Sequence, residues 1–497
     1  MALLLAIDQG TTGNTAFLMD EKLTVLAKAT REFPQIFPQP GWVEHNPDEI
    51  WNGVAAVIKD VLAESGLQAD DITAIGITNQ RETTLIWDRK NAAHVHNAIV
   101  WQDRRTAPTC DRLKAEGREE LYKRKAGLVL DPYFSGTKIT WLLENVEGLR
   151  PRAESGDLAF GTIDSYLLFR LTGGAVHATD VSNASRTLMM DLETLQWAPE
   201  LYEPLGVPPQ LLPEVRASSE VYGHTKGLDF LPDGIPIAGM AGDQQSALFG
   251  QLCLEAGAAK CTYGTGSFTL MTTGSKPVFS SNGLLTTVAW KLSDGTVAYA
   301  LEGSAFIAGA VVQWLRDGLG IIESAAEIEA LARSVPDNGG VVFVPAFTGL
   351  GTPHWRPDAT GTILGITRGT TKANIARAAL EGIAFQNYEI IKAMEEDSGT
   401  PLSALRVDGG AAANNLLLEF QSGLLDRPIV RPRMLETTAL GAALLAGLAT
   451  AVWPSTDALQ DVWKEDRRFS PEMTQEDRQR HVSAWADAIK RSVRASA

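Results

Sequence analysis

Two short apolar runs, separated by a polar turn that contains glycine, open the chain. Residues 3–7 (LLLAI) and 16–19 (AFLM) each predict a buried strand, and residues 8–14 (DQGTTGN) lie between them. Glycine allows backbone N–H groups to approach an anion closely, and threonine hydroxyls add further donors. Asp8, at the end of the first strand, is placed to hold a hydrated magnesium ion beside that anion. The segment therefore predicts a phosphate-binding β-hairpin, with an ordinary hairpin turn as the alternative.

A second segment of the same kind lies near the middle of the chain. Residues 258–263 and 268–271 are strand-like, and residues 264–267 (GTGS) form the turn between them. One such hairpin in each half indicates a duplicated fold that binds a nucleotide between its halves. The halves share no visible overall sequence identity, so this expectation rests on the two turns.

Strand-like and helix-like segments alternate through the first half of the chain. Three runs are strand-like, at residues 72–78, 83–87 and 97–101. They are followed by a charged helical pattern at residues 104–118. This alternation predicts α/β layering. A chain of 497 residues is too long for one compact core, so we expect two large domains.

Charge and cysteine content limit the classes of partner. Asp and Glu outnumber Lys and Arg by 60 to 44, and the resulting charge of −16 disfavours binding to nucleic acid or anionic membranes. Cys110, Cys253 and Cys261 have no disulfide or metal spacing, so we expect buried thiols and a cytoplasmic protein. Asp8 interrupts the first apolar run, which argues against a signal peptide. Residues 437–456 predict an interior helix rather than a membrane span.

An acidic residue follows a strand-like run of small residues in the segment 237–250 (IAGMAGDQQSALFG). Asp243 stands between this strand and a helix, a position that points into a cleft in layered α/β folds. Phosphoryl transfer to an alcohol needs a group that orients the hydroxyl and accepts its proton, and a carboxylate is sufficient. The alternative is that Asp243 caps the helix that follows.

A polar turn and two aromatic residues are candidates for a substrate pocket. Residues 79–82 (NQRE) follow a buried strand. Within them, Arg81 only donates hydrogen bonds and ionised Glu82 only accepts them, so together they could hold a hydroxylated ligand. The alternative for this pair is a surface ion pair. Trp101 and Tyr133 could cover a ligand's carbon chain, although such residues more often belong to the core.

The last hundred residues contain a glycine pair and a charged helix. A strand-like run at residues 404–407 leads into residues 408–411 (DGGA) and then a helical pattern at 416–423. The glycine pair allows a flat ring to lie against the backbone, with a common turn as the alternative. Residues 474–493 predict a helix that packs on the body of the protein.

These motifs resemble those of the glycerol kinases in the FGGY carbohydrate-kinase family, which shares the fold of actin and the heat-shock ATPases. The resemblance extends over nearly the whole chain, through the blocks PGWVEH (40–45), ITNQRETT (77–84), NAIVWQ (97–102), DPYFSGTK (131–138), AGDQQSALFGQ (241–251), VPAFTGLG (344–351) and VDGGAAANN (407–415). Both family signatures are present, at residues 133–145 and 361–381.

The resemblance implies a fold, a reaction and partners. The fold would be α/β, with two actin-like (ribonuclease H-like) domains, residues 1–251 and 252–497, and the active site in the cleft between them. The reaction would convert MgATP and glycerol into ADP and sn-glycerol 3-phosphate. The implied partners are these small molecules and further copies of the chain in a homodimer or homotetramer, with no nucleic acid and no stable membrane insertion.

The resemblance also implies residue roles. Asp243 would be the catalytic base, and the substrate would be bound by Arg81, Glu82, Trp101, Tyr133, Asp243, Gln244 and Phe268. The nucleotide would be bound by Thr11, Thr12, Gly13, Thr265, Gly309, Gln313, Gly410 and Asn414. Asp8, acting through water, and Asp243 would hold Mg²⁺. No motif in the sequence marks Gly309 or Gln313, which come from the resemblance alone.

One departure and two rival functions follow from the same resemblance. Many relatives carry Ser-Ser-Arg where this chain has Gly13-Asn14-Thr15, so a phosphate-side arginine is absent, and we expect activity to survive its loss. The first rival is a kinase of a ketopentose or a larger polyol, which the bulky aromatic residues named above disfavour. The second is an actin-like nucleotide-binding scaffold, which would need no Arg81–Glu82 pair beside Asp243.

Overall fold

The computed structural model describes residues 2–493. Met1, in the first expected domain, and residues 494–497, in the second, lie outside the described residues. The strands are β1 (Leu3–Gln9), β2 (Gly13–Asp20), β3 (Val25–Glu32), β4 (Glu44–His45), β5 (Ile72–Asn79), β6 (Leu85–Asp88), β7 (Ala98–Ile99), β8 (Leu158–Gly161), β9 (Ala178–Asp180), β10 (Met190–Asp191), β11 (Gln196–Trp197), β12 (Glu214–Arg216), β13 (Ser219–His224), β14 (Pro236–Gly242), β15 (Ala258–Tyr263), β16 (Ser267–Gly274), β17 (Leu285–Lys291), β18 (Val297–Ala305), β19 (Val342–Val344), β20 (Thr362–Leu364), β21 (Ala404–Asp408), β22 (Ile429–Pro432) and β23 (Glu465–Phe469).

The α-helices lie between these strands and after the last of them. They are α1 (Pro47–Ser65), α2 (Ala107–Ala115), α3 (Glu119–Ala126), α4 (Ser135–Asn145), α5 (Leu149–Glu154), α6 (Ile163–Leu171), α7 (Val181–Ala184), α8 (Pro199–Tyr202), α9 (Asp243–Gly250), α10 (Gly309–Asp317), α11 (Glu327–Arg333), α12 (Lys372–Ser398), α13 (Asn415–Leu425), α14 (Thr437–Ala449), α15 (Leu459–Val462) and α16 (Gln475–Ser492). We call the chain up to Gln251 the N-terminal half and the remainder the C-terminal half.

The sheet of the N-terminal half has the strand order β13-β14-β5-β1-β2-β3. Strands β1, β2 and β3 are antiparallel neighbours, whereas β5 runs parallel to β1 and β14 parallel to β5. Along β1, Leu3, Leu5 and Ile7 pack in a core with α1, while Leu4 and Ala6 pack on the other face with residues of α14. Because both faces are covered, β1 is a continuous apolar run rather than an alternating one.

The sheet of the C-terminal half repeats this arrangement. Its order is β17-β18-β16-β15-β21-β22-β23, with β15, β16 and β18 as antiparallel neighbours. Strand β21 runs parallel to β15, and β22 runs parallel to β21. The five strands β18-β16-β15-β21-β22 therefore match β3-β2-β1-β5-β14 in order and direction. The α/β class, predicted from alternating strand-like and helix-like segments, and the duplicated fold, predicted from two turns, are confirmed.

Helix α14 joins the halves, because it belongs to the C-terminal half and packs on the sheet of the N-terminal half. The contact depends on glycines on both sides. A Cβ atom added at Gly76 of β5 would lie 2.2 Å from the carbonyl oxygen of Ala442, and one at Gly441 would lie 1.8 Å from that of Ser246 on α9. No larger residue fits at either position without displacing backbone. The predicted interior helix is confirmed, although it ends at Ala449.

Some element boundaries differ from the predictions. The strand expected at residues 83–87 is shifted to β6 (Leu85–Asp88). The strand expected at 97–101 shortens to β7, and the helix expected at 104–118 shortens to α2. Pro108 occupies the first turn of α2, where its missing N–H is tolerated, so the helix starts later than its charged pattern suggests. It ends before Gly117, which has a positive φ of 72°.

Predictions for the C-terminal helix and the cysteines are confirmed. Trp485 of α16 is buried and stacks on Phe385, with ring centroids 4.9 Å apart and an interplanar angle of 13°. This contact fixes α16 on the body of the C-terminal half. Cys110, Cys253 and Cys261 are all buried free thiols. Among the helices of residues 2–493, none has the length and apolar content needed to cross a membrane.

Candidate active site

The carboxyl ends of three parallel strands bring together the acidic and basic residues singled out in the sequence. Asp8 lies near the end of β1, Arg81 and Glu82 follow β5, and Asp243 follows β14. Parallel strands place such residues at one edge of the sheet, where ligands bind in layered α/β folds. The C-terminal half faces this edge, since Lys260 of β15 contacts Gln244.

Asp243 is the first residue of α9, and the N-cap position belongs to Gly242. Its Oδ1 accepts a hydrogen bond from the backbone N–H of Gln244 at 2.7 Å and lies 3.2 Å from Nε of Arg81. The side chain retains 31% of its exposed area, so it stays open to the cleft. Burial of the carboxyl raises its pKa, while Arg81 and Lys260 oppose that rise. Asp243 is thus oriented and accessible, as a base requires.

Arg81 and Glu82 are buried, so they do not form a surface ion pair. Their mutual contact is long, at 3.9 Å between Nε and Oε1, and each has a stronger partner elsewhere. Both terminal nitrogens of Arg81 donate to the carboxylate of Glu302, at 2.6 and 2.9 Å. Oε1 of Glu82 accepts from Nε of Arg186 at 2.7 Å. Each of the two residues therefore makes its shortest ionic contact with a residue that is distant in the sequence.

Sequence reasoning missed Glu302 and Arg186. Glu302 is the one charged residue inside β18 (VAYALEGSA), and a lone charge in an apolar strand is a signal that it needs a buried partner. Arg186 lies two residues beyond α7 and is fully buried. Neither residue has a local partner in the sequence that would reveal its role.

Two aromatic residues line the same side of the site as the first hairpin. Nε1 of Trp101 donates to Oγ1 of Thr11 at 3.0 Å. The ring of Trp101 meets that of Tyr133 edge to face at 5.6 Å, and the phenol oxygen of Tyr133 accepts from Nη2 of Arg81 at 3.4 Å. These contacts place Trp101, Tyr133 and Arg81 beside the predicted phosphate hairpin.

Lys260 is a further buried residue that sequence reasoning missed. Its Nζ donates to Oε1 of Gln244, to Oγ1 of Thr262 at 2.9 Å and to the carbonyl oxygen of Phe268 at 3.3 Å. Burial lowers its pKa, against the opposing effect of acidic neighbours that include Asp243. The structure thus brings Gln244 and Phe268, two expected substrate residues, to one cation from the C-terminal half.

The first hairpin turn is tight and carries no cation of its own. The backbone N–H of Gly10 donates to the carbonyl oxygen of Gly13 at 2.9 Å. A Cβ atom at Gly13 would lie 2.9 Å from the carbonyl oxygen of Arg31, so glycine allows β3 to approach. Thr12 is exposed, and Oγ1 of Thr15 lies 3.0 Å from that of Thr30. Thr15 therefore satisfies its hydroxyl within the sheet.

The second hairpin turn is held by the start of α10. The carbonyl oxygen of Gly264 accepts from the N–H of Gly309 at 2.9 Å, and that of Thr265 accepts from Ala308 and Ala310 at 2.8 and 3.0 Å. A Cβ atom at Gly309 would lie 2.6 Å from the carbonyl oxygen of Gly264. The close approach explains why a glycine is present at 309.

The remaining expected nucleotide residues lie on α10 and around α13. Gln313 is exposed on α10. A Cβ atom added at Gly410 would meet no heavy atom within 4 Å, so the backbone there is open to an incoming group. The side chain of Asn414 caps α13 by accepting from the N–H of Leu417 at 3.0 Å. Gly409, with a φ of 82°, packs against Tyr263 of β15 and so brings this turn beside the second hairpin strand.

Two carboxylates of the site fit a magnesium ion. Burial, together with the nearby carboxylates of Asp243 and Glu436, raises the pKa of Asp8 to about 7. A divalent cation would relieve this repulsion, and Mg²⁺ is usually held by one or two carboxylates with water and phosphate oxygens as its other ligands. Over residues 2–493, no group of three or more His, Cys, Asp or Glu side chains is placed to hold a metal. The two carboxylates, with water and phosphate oxygens as further ligands, form a donor set of the kind that Mg²⁺ takes.

Comparison with known proteins identifies similar chains. The model of the N-terminal domain of the FGGY family of carbohydrate kinases matches residues 3–250, and that of the C-terminal domain matches residues 259–450. The chain is 57% identical to a glycerol kinase of Myxococcus xanthus over 490 residues, which cover 98% of this chain and 99% of that protein. It is also 57% identical to a glycerol kinase of Deinococcus radiodurans over 489 residues, 98% of this chain and 97% of that protein.

Solved structures show the same architecture. The crystal structure of Plasmodium falciparum glycerol kinase with ADP superimposes with a TM-score of 0.94 at 38% identity, covering 100% of this chain and 99% of that one. A xylulose kinase of Lactobacillus acidophilus superimposes with a TM-score of 0.88 at 22% identity, covering 99% and 97% of the two chains. The second similarity shows the shared fold alone.

Proposed function

This chain belongs to the FGGY family of carbohydrate kinases, and from that premise we propose that it transfers the γ-phosphoryl group of ATP to glycerol. The products are ADP and sn-glycerol 3-phosphate. The single observation that carries the proposal is the open carboxylate of Asp243, held beside Arg81 at the end of β14, in a chain 57% identical to glycerol kinases over nearly its full length. The fold is α/β with two actin-like units and a cleft between them.

In the proposed reaction, Asp243 orients one terminal hydroxyl of glycerol and accepts its proton as the oxygen attacks the γ-phosphorus. The new P–O bond forms as the bond to the β-phosphate oxygen breaks, and ADP leaves with that electron pair. Arg81, Glu82, Tyr133 and Gln244 hold the hydroxyls with Asp243, while Trp101 and Phe268 lie against the carbons. The carboxylate needs no unusual basicity, because the catalysis is mainly positioning and charge stabilisation.

The two hairpins hold the nucleotide in this proposal. The phosphates lie against Thr11, Thr12, Gly13, Thr265, Gly309 and Gln313, and the adenosine lies near Gly410 and Asn414. Backbone N–H groups at such turns attract anions without any charged side chain. Mg²⁺, held by Asp8 and Asp243, would supply charge neutralisation on the phosphoryl oxygens. Activity therefore survives the absence of an arginine at position 15.

We extend the proposal to the domains and the setting of the enzyme. The domains divide at residues 251 and 252, just after α9, which supplies Asp243 to the N-terminal domain. The chain works as a homodimer or homotetramer in the cytoplasm, where three free thiols stay reduced and ATP is available.

ADP release from MgATP by the purified protein tests this function. Glycerol is compared with dihydroxyacetone, erythritol, xylulose and ribulose as acceptors, and water alone is the blank. We expect release that depends on glycerol and is clearly slower with each other alcohol. A preference for a ketopentose would refute the substrate while leaving the mechanism, and ATP binding without alcohol-dependent release would favour a scaffold.

A further inference from the structure

We propose that Glu302 and Arg186 are positioning residues that hold Arg81 and Glu82 in place for the polyol, an inference that rests on the proposed function of the site. The four side chains form one buried chain of alternating charge. The carboxylate of Glu302 accepts hydrogen bonds from both terminal nitrogens of Arg81, at 2.6 and 2.9 Å, and from Nη2 of Arg186 at 3.1 Å. Arg186 in turn donates through Nε to Glu82 at 2.7 Å.

Because the four residues are buried, the loss of any one of their charges is costly. None of the four residues is more than 3% exposed, and two positive groups balance two negative ones. Burial alone would raise the pKa of the Glu302 carboxyl, yet Arg186 and Arg81 hold it at about 2, so the carboxylate is ionised. Removing the charge of one member leaves its partner as a buried charge that is neither paired nor hydrated. That partner is then expected to reorient toward another charged group. The nearest other carboxylate for Arg81 is Asp243, at 3.2 Å.

Glu302 also connects the two halves of the protein at this point. It lies on β18 of the C-terminal half, whereas Arg81, Glu82 and Arg186 belong to the N-terminal half. A residue of the C-terminal half therefore orients the guanidinium group of Arg81. By holding Nη1 and Nη2, Glu302 leaves only Nε facing Asp243, and this sets the direction in which Arg81 meets a ligand.

The backbone at Glu82 supports a positioning role for Arg186. Glu82 has a φ of 60°, a conformation that non-glycine residues rarely adopt and that concentrates at functional sites. Its carbonyl oxygen accepts from Oγ of Ser135 at 2.9 Å and from Oγ1 of Thr84 at 2.8 Å. Hydrogen bonds to the backbone and the ion pair of the carboxylate with Arg186 therefore hold Glu82 in one fixed geometry.

The variant Glu302→Gln tests the proposal, because it keeps the shape of the side chain and removes its charge. Binding of glycerol is measured by intrinsic tryptophan fluorescence without nucleotide, alongside KM for glycerol, KM for ATP and the melting temperature. We expect glycerol binding to weaken by about tenfold or more, as for loss of a buried charge partner. KM for ATP should stay within about twofold, because the side chains of the charge chain hydrogen-bond to one another, to Gln245 and to Tyr133, and not to the hairpin turns at residues 8–14 and 264–267.

Glu381→Gln is the matched control, since Glu381 is also a buried glutamate of the C-terminal half and pairs with Arg377 at 3.1 Å. It should lower stability without changing glycerol binding. Glu302→Asp and Arg186→Lys keep the charges and lose the bidentate fit, and both should fold and weaken glycerol binding to a smaller extent. They provide the test if Glu302→Gln does not fold.

Wild-type glycerol affinity in a folded Glu302→Gln variant, or in both charge-preserving variants, would overturn the proposal. Equal loss of glycerol binding in Glu381→Gln would also overturn it, because the effect would then be a general consequence of instability. A wild-type protein that binds no glycerol would reject the proposed function together with this inference. Wild-type binding with unchanged variants would reject the inference alone.

Discussion

Nε of Arg81 lies 3.2 Å from Oδ1 of Asp243, so the proposed base is oriented by a cation whose remaining nitrogens are held by Glu302. The carboxylate is thereby kept at the cleft without being enclosed by its partner. Asp243 therefore stays free to contact a substrate hydroxyl, while Glu302 fixes the orientation of Arg81.

Asp243→Asn should lower kcat by about 10²- to 10⁴-fold, because the amide cannot accept the proton of the attacking hydroxyl. Glycerol binding should change little, since the amide keeps one acceptor oxygen. Steady-state kinetics and equilibrium glycerol binding check both parts. The exposed Asp111 on α2 offers a control, and Asp111→Asn should behave as wild type. A kcat for Asp243→Asn within tenfold of wild type would remove Asp243 from the role of base.

Gly309→Ala should impair the nucleotide side alone. Its added Cβ would lie 2.6 Å from the carbonyl oxygen of Gly264, so the second hairpin turn must shift. Overpacking of this kind costs about 1–3 kcal/mol, which corresponds to a rise in KM for ATP of about five- to 150-fold. Gly369→Ala is the control, because its nearest atom would be 3.8 Å away. An unchanged KM for ATP, or an equal rise in KM for glycerol, would contradict the placement of the phosphates at this turn.

Lys138→Met should destabilise the protein and loosen the substrate loop. Nζ of Lys138 is buried and donates to the carbonyl oxygens of Pro132, Tyr133 and Phe134, at 2.7, 2.6 and 3.2 Å. The substitution leaves three acceptors without this donor, and we expect a loss of about 3 kcal/mol or more in urea unfolding. KM for glycerol should rise because Tyr133 moves with the loop. The exposed Lys123→Met serves as the comparison, and equal stability of the two variants would be inconsistent with this account.

Asp164→Asn should remove part of the pH dependence of stability. Burial raises the pKa of the Asp164 carboxyl to about 7 from 3.8. Between these values the folded protein binds a proton that the unfolded chain has lost, so this group's contribution to stability falls as pH rises from about 4 to about 7. The shift corresponds to about 4 kcal/mol as an upper bound. Urea unfolding of both proteins at pH 5 and pH 8 should show a smaller difference for the variant, and an identical difference would refute the assignment.

Motifs predict the parts of the site whose function depends on short segments. The hairpins at residues 8–14 and 264–267, the duplicated fold and the position of Asp243 after a strand of small residues all follow from local patterns. The close packing of α14 on α9 does not, because it depends on glycines that meet only in the folded chain.

The buried chain of alternating charge could not be predicted from the sequence for a related reason. Arg81 and Glu82 are neighbours in sequence, and the sequence predicts that they hold a hydroxylated ligand without indicating which buried residues hold them in turn. The left-handed backbone at Glu82 and the burial of both residues direct them to Arg186, 104 positions from Glu82, and Glu302, 221 positions from Arg81. Lys260 is equally isolated in an apolar strand. Pairs at such separations leave no periodic signal in a single sequence.

The stereochemical identity of the product is the most direct test of the central claim. Purified protein is incubated with MgATP and glycerol, and the product is titrated with a dehydrogenase specific for sn-glycerol 3-phosphate while ADP is measured in parallel. We predict one equivalent of sn-glycerol 3-phosphate for each ADP, formed about 10²- to 10⁴-fold more slowly by Asp243→Asn. ADP release without this product, or a racemic glycerol phosphate, would contradict a site in which Arg81, Asp243 and Gln244 hold glycerol in one orientation.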